Sequence, residues 1–192
     1  MNKRKLTRET LTELAKRMPV LSEEVQHSYV GGYRYDNTFC FYNCMEYFAK
    51  EVCNQNVDCE FFEHLYIYGD GVFSGTHNED ELRNGPLIQN EDGTINADPF
   101  IFFSHCFNIE GSGWTVGSGV QFLFASGSVE NTAVFGIYVD SDYIAHAVIL
   151  QGYDRATDTY TCYDPSVSGT EEEKIKTVSG SQMAFAVRAG CK

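Results

Sequence analysis

The chain has 192 residues, 43% hydrophobic and 14% aromatic, which suffices for the core of one domain plus an appendage but not for two full domains. No apolar run is long enough to span a bilayer as a helix, and the basic start Lys3-Arg4-Lys5 is not followed by the continuous apolar core of a Sec-type signal. Six of the 14 Lys/Arg and four of the 27 Asp/Glu lie in residues 1–32; the body beyond keeps eight basic and 23 acidic side chains, a net of −15 that argues against nucleic acid as a partner.

Leu6, Leu11, Leu14 and Met18 fall at near-helical spacing, and Pro19 stops that helix. Ser22 caps a second short helix, Glu23 and Glu24 suit its first turn, and Gly31-Gly32 ends it. Read so far, the segment is a helical hairpin packed on the body. The run from Leu21-Ser22-Glu23-Glu24 to Gly31-Gly32 also resembles the double-glycine leaders of peptides exported by peptidase-containing ABC transporters. That resemblance implies a leader over residues 1–32, cleaved after Gly31-Gly32, and a body over residues 33–192 delivered outside the cytoplasm. The transporter's peptidase would grip the apolar stripe Leu21, Val25 and Tyr29, and two residues without side chains fit a narrow cleavage cleft. Gln26 departs from the pattern, which is often apolar there. A third reading keeps residues 6–30 as an inhibitory pro-segment.

Phe41, Met45, Phe48 and Val52 make a helical apolar stripe with Cys44 beside it. Asn37 or Thr38 caps this helix and puts Cys40 in its first turn, where the dipole favours a thiolate. Phe61-Phe62 to Tyr68 reads as continued helix or a strand. Asn84-Gly85-Pro86 and Glu91-Asp92-Gly93 read as turns, and the latter lacks an EF-hand's first ligand. The glycine-rich stretch 111–119 lacks the Lys-Ser/Thr of a phosphate loop.

Tyr143 to Tyr153 reads as a strand with His146 in an apolar run; residues 154–158 are turn material, and Thr159 to Tyr163 is a second strand ending at Asp164-Pro165. With the turn centred on Arg155, His146 faces Asp164, and a one-residue shift of that centre leaves them diagonal neighbours. An aspartate there holds the imidazole's tautomer and stabilises its charged form.

Cys40 at a helix start with Cys44 four residues on, then His146-Ala-Val-Ile-Leu-Gln-Gly-Tyr-Asp and Asp164-Pro165, resemble the bacteriocin-processing peptidase family, a papain-like branch of cysteine peptidases. The order Cys, His, Asp and the 18-residue gap from His146 to Asp164 match that family. The resemblance implies an α+β, papain-like fold, in which an N-terminal helix carrying Cys40 packs on an antiparallel sheet carrying His146 and Asp164. It implies hydrolysis of a peptide or protein substrate without a cofactor, with Cys40 as nucleophile, His146 as base and then acid, and Asp164 orienting the imidazole. Arg34 stands where the family carries its oxyanion glutamine; Asn37, Asn43 or Arg34 itself are the substitute donors. In such a fold the stretch 111–119 would form a loop near the cleft, with Trp114 as its apolar wall.

Cys40, Cys44, Cys53, Cys59, Cys106, Cys162 and Cys191 fit up to three disulfides and one thiol, or seven buried thiols. Their spacings do not fit structural zinc, and no metal is expected. The disulfide-rich alternative makes the body an exported interaction or toxin-like protein on an inactive peptidase scaffold.

Overall fold

The computed structural model describes residues 39–75, 98–111, 113–125, 130–141 and 144–192. The expected leader, the expected caps Asn37 and Thr38, the candidate donors Arg34 and Asn37, and the turns expected at 84–86 and 91–93 lie outside these residues.

Helix α1, Phe39–Tyr47, continues as a π-helical segment, Phe48–Val52. Of its stripe, Phe41, Met45 and Phe48 are fully covered, with Cys44 beside them, while Val52 is only partly buried. Helix α2, Cys59–Tyr68, starts at Asp58, whose carboxylate accepts from Phe61 N–H, and ends at Gly69, whose N–H returns to Leu65 O. Gly69 has φ 75°, and a Cβ there would lie 2.2 Å from Phe73 O, so only glycine fits this turn. Glu46 of α1 accepts from Cys59 N–H at 2.9 Å and fastens the two helices together. Helix α3 is Asp98–Cys106, with Pro99 in its first turn, where a missing N–H costs nothing.

The strands are β1 Asn108–Ile109, β2 Thr115–Val116, β3 Thr132–Val139, β4 Ala145–Asp154, β5 Thr159–Tyr163, β6 Ile175–Ser179 and β7 Met183–Gly190. They form one antiparallel sheet in the order β1-β7-β3-β4-β5-β6, with β2 also paired to β7. One face buries Phe135, Ile137, Ala147, Ile149, Val187 and Ala189 against α1, α2 and α3. The other buries Val134, Val148, Leu150, Tyr160, Cys162 and Val178 with Val120 of a short 3-10 helix, Gly117–Phe124. Period-two alternation along β3, β4 and β7 produces this two-sided burial.

The helical face is largely aromatic. Phe103 contacts the rings of Phe41, Phe48, Phe107, Trp114 and Phe135 at centroid distances from 4.6 to 6.4 Å. Each buried ring contributes roughly 1.5–3 kcal/mol by area alone. Trp114, expected as a cleft wall, packs its ring against Phe100, Phe103 and Phe135 in this cluster.

The architecture is therefore α+β, helices against an antiparallel sheet, as the sequence implied. A single disulfide, Cys53–Cys191, with Cα atoms 5.3 Å apart, joins the end of the π-helical segment to the chain just after β7. The other five cysteines are reduced thiols, three of them within the core.

Candidate active site

Cys40 lies in the first turn of α1, at the positive end of the helix dipole. The pairing of β5 with β4 ends at Ile149↔Tyr163. Ala147, two residues nearer the start of β4, therefore has no β5 carbonyl facing its N–H. It donates to Cys40 Sγ instead, at 3.2 Å. The sulfur thus occupies the notch where β5 stops.

His146 and Asp164 reach the same notch through a bulge. Next to the turn, Asp154 pairs with Thr159, Tyr153 with Tyr160 and Gly152 with Thr161. Had that register continued, Asp164 would have stood opposite Ile149, on the face away from His146. The extra residue Gln151 shifts the pairing, so that Leu150 meets Cys162 and Ile149 meets Tyr163. Extended by one step, Asp164 falls opposite Val148 and diagonal to His146. The direct facing pair expected from a turn at Arg155 is not formed, because the pairing centres the turn between Ala156 and Thr157; the shift at Gln151 restores the diagonal alternative.

His146 Nε2 and Asp164 Oδ2 are 2.7 Å apart, with the carboxylate almost wholly buried and the imidazole 16% exposed. Nε2 is thereby engaged, which leaves Nδ1 as the ring nitrogen for the Cys40 sulfur, with which His146 also hydrogen-bonds. Burial alone would lower the imidazole's pKa. The Asp164 and Cys40 contacts overcome it and raise it to about 9, so the ring is an imidazolium at neutral pH. Burial likewise works against ionised Asp164, but His146 and Lys176 hold the carboxyl well below the usual carboxylate range.

Asp164 is anchored by its own backbone too. Its N–H donates to Lys174 O at 2.8 Å, and its Oδ1 accepts from Ser166 N–H at 3.0 Å across the turn at Pro165. Lys176 of β6 donates to Asp164 Oδ2 at 2.5 Å. Sequence reasoning missed Lys176, although it sits two residues before Val178 and in phase with the buried face of β6.

Asn43, one turn along α1 from Cys40, lines a cavity of about 200 Å³ with Glu46, Tyr47, Lys50, Tyr163 and Pro165. Cys44 shares the helix with Cys40 but not its chemistry, because burial pushes its thiol well above the ordinary value. Burial also raises Cys59 to about 11 and Cys106 and Cys162 to about 12.

Among the described residues no three His, Cys, Asp or Glu side chains gather as metal ligands, and no helix is long and apolar enough to cross a membrane. A sulfur nucleophile at a helix start, a charged imidazole and a buried carboxylate in one notch can exchange a proton and attack a polarised carbonyl. No protein-family model matches the chain, and no curated protein matches it.

Proposed function

We propose that the protein is an exported cysteine peptidase of papain-like fold, made as a precursor and cleaved after Gly32 by a peptidase-containing ABC transporter. The observation that carries the reading is the contact of Cys40 Sγ with Ala147 N–H and His146, whose ring is held by Asp164.

In this reading the Cys40 thiolate attacks the scissile carbonyl carbon and a C–S bond forms. His146, an imidazolium at this point, gives its proton to the departing amine as the C–N bond breaks. Water then attacks the thioester and passes a proton to His146. The C–S bond breaks, releasing the acid and restoring the thiolate. Asp164 keeps the ring oriented and stabilises its charged form throughout. The oxyanion donor is drawn from Arg34, Asn37 or Asn43; one such donor typically contributes on the order of 10²–10³ in rate. The reduced thiol of Cys40 weighs against the disulfide-rich, inactive alternative.

The test is hydrolysis of an unfolded, fluorescently labelled protein substrate by the wild type, Cys40→Ala and His146→Ala. Both variants must lose turnover; undiminished hydrolysis in either would sink the reading. Intact-mass analysis of exported material addresses the leader separately, because cleavage after Gly32 leaves a body beginning at Tyr33.

A further inference from the structure

Asp164 Oδ2 receives two cations. His146 Nε2 lies at 2.7 Å and Lys176 Nζ at 2.5 Å from the same oxygen, which places the two nitrogens within about 5 Å of each other. Lys176 is fixed on three sides. Its strand position pairs with Cys162, its ammonium donates to Tyr138 Oη at 3.3 Å, and it stands 5.6 Å from the centre of that ring. Tyr138 in turn is the cross-strand partner of His146, with the two rings edge to face at 5.5 Å. Asp164, Lys176, Tyr138 and His146 thus form a closed loop of contacts.

The titratable groups facing this cluster are Cys40 and Cys44 from α1, Tyr138 from β3, Cys162 from β5 and Asp164 just beyond it. Burial keeps Cys44, Cys162 and the Tyr138 phenol protonated. Burial also opposes the charge on Lys176, but the Asp164 bond outweighs it and keeps the ammonium charged. Lys176 is therefore the one permanent cation behind the imidazole among the described residues.

We propose that Lys176 is a positioning residue of the thiol site, locking the Asp164 carboxylate and setting the pH at which the His146 imidazolium discharges. A cation there opposes the imidazolium that shares its carboxylate oxygen. Removing it makes the imidazolium harder to discharge, so that transition moves to higher pH. A lysine that served only to pack or pair the strands would leave it in place.

The inference rests on the peptidase reading, and its probe needs no substrate. The full chain is alkylated with iodoacetamide from about pH 4 to about pH 10, and the rate at Cys40 is read by peptide mass spectrometry. Lys176→Met and Lys176→Gln are expected to move the alkaline midpoint of the profile, where the His146 imidazolium discharges, up by about one pH unit, with Lys176→Arg holding it near the wild-type position. A wild-type alkaline midpoint in both the Met and Gln variants, whatever their absolute rates or stabilities, would overturn the role of Lys176 while leaving the peptidase reading intact. Wild-type Cys40 labelling no faster than in His146→Ala would overturn both.

Discussion

Replacing Asp164 separates the geometry of the site from its charge. Asp164→Ala removes the acceptor for both His146 and Lys176, while Asp164→Asn keeps an acceptor of the same shape without the charge. Breaking a buried ion pair costs about 3–5 kcal/mol when the abandoned charge has no escape. Here the Lys176 side chain is 30% exposed and swings toward water, and His146 sheds its proton, so the expected cost of Asp164→Ala is about 3 kcal/mol. Converting charge-assisted hydrogen bonds to neutral ones makes Asp164→Asn cost about 1–2 kcal/mol.

The folded pKa of Asp164 is depressed, so its contribution is fully present above the unfolded carboxylate's pKa and is lost as pH falls toward the folded value. The variant's His146, neutral without its carboxylate, loses stability as the unfolded histidine protonates below about pH 6.5. The gap between wild type and Asp164→Ala should therefore not shrink between neutral pH and about pH 4; below that it should narrow by up to about 1.4 kcal/mol per pH unit. Urea unfolding at a series of pH values measures this directly. An Asp164→Ala protein within about 0.5 kcal/mol of wild type near pH 6.5, or a gap that persists unchanged in strong acid, would refute the reasoning.

Other sites give further expectations. The Cys53–Cys191 disulfide closes a loop of 138 residues, so the double replacement by serine should cost about 2–5 kcal/mol in urea unfolding under oxidising conditions. Phe103→Ala empties the centre of the aromatic cluster and should cost about 4 kcal/mol by the same assay, against a few tenths for a change at exposed Phe61. Gly69→Ala combines a positive φ with a backbone clash and should cost about 2 kcal/mol, seen as a lower Tm with the substrate-independent labelling of Cys40 unchanged.

The helix bearing Cys40 and the hairpin bearing His146 were legible because each has one clear period. The apolar stripe Phe41, Met45, Phe48, Val52 repeats every three to four residues, and β5 begins and ends where its turn residues place it. Register was less legible. The shift at Gln151 is flanked by Gly152, an isolated strand glycine of the kind that marks a bulge, but that glycine alone does not say which way the pairing moves. Helices α2 and α3 were obscured by their aromatics: CEFFEHLYIY and DPFIFFSHC suit a strand as well as a helix until tertiary packing decides. The Cys53–Cys191 pair spans nearly the whole body, and nothing local favours it over the other connectivities. Lys176 carried a usable signal, a lysine in phase with buried Val178, but its partner Asp164 is adjacent only through the pairing of β5 with β6.

The central claim is that Cys40 and His146 act as an activated pair. Brief iodoacetamide labelling of residues 33–192 at neutral pH, mapped by non-reducing peptide mass spectrometry, tests it most directly. Burial holds Cys44, Cys59, Cys106 and Cys162 as poorly reactive thiols, so Cys40 should be alkylated first, and that preference should vanish in His146→Ala. Cys40 labelling that merely keeps pace with the other four, or that is indifferent to His146→Ala, would contradict the account.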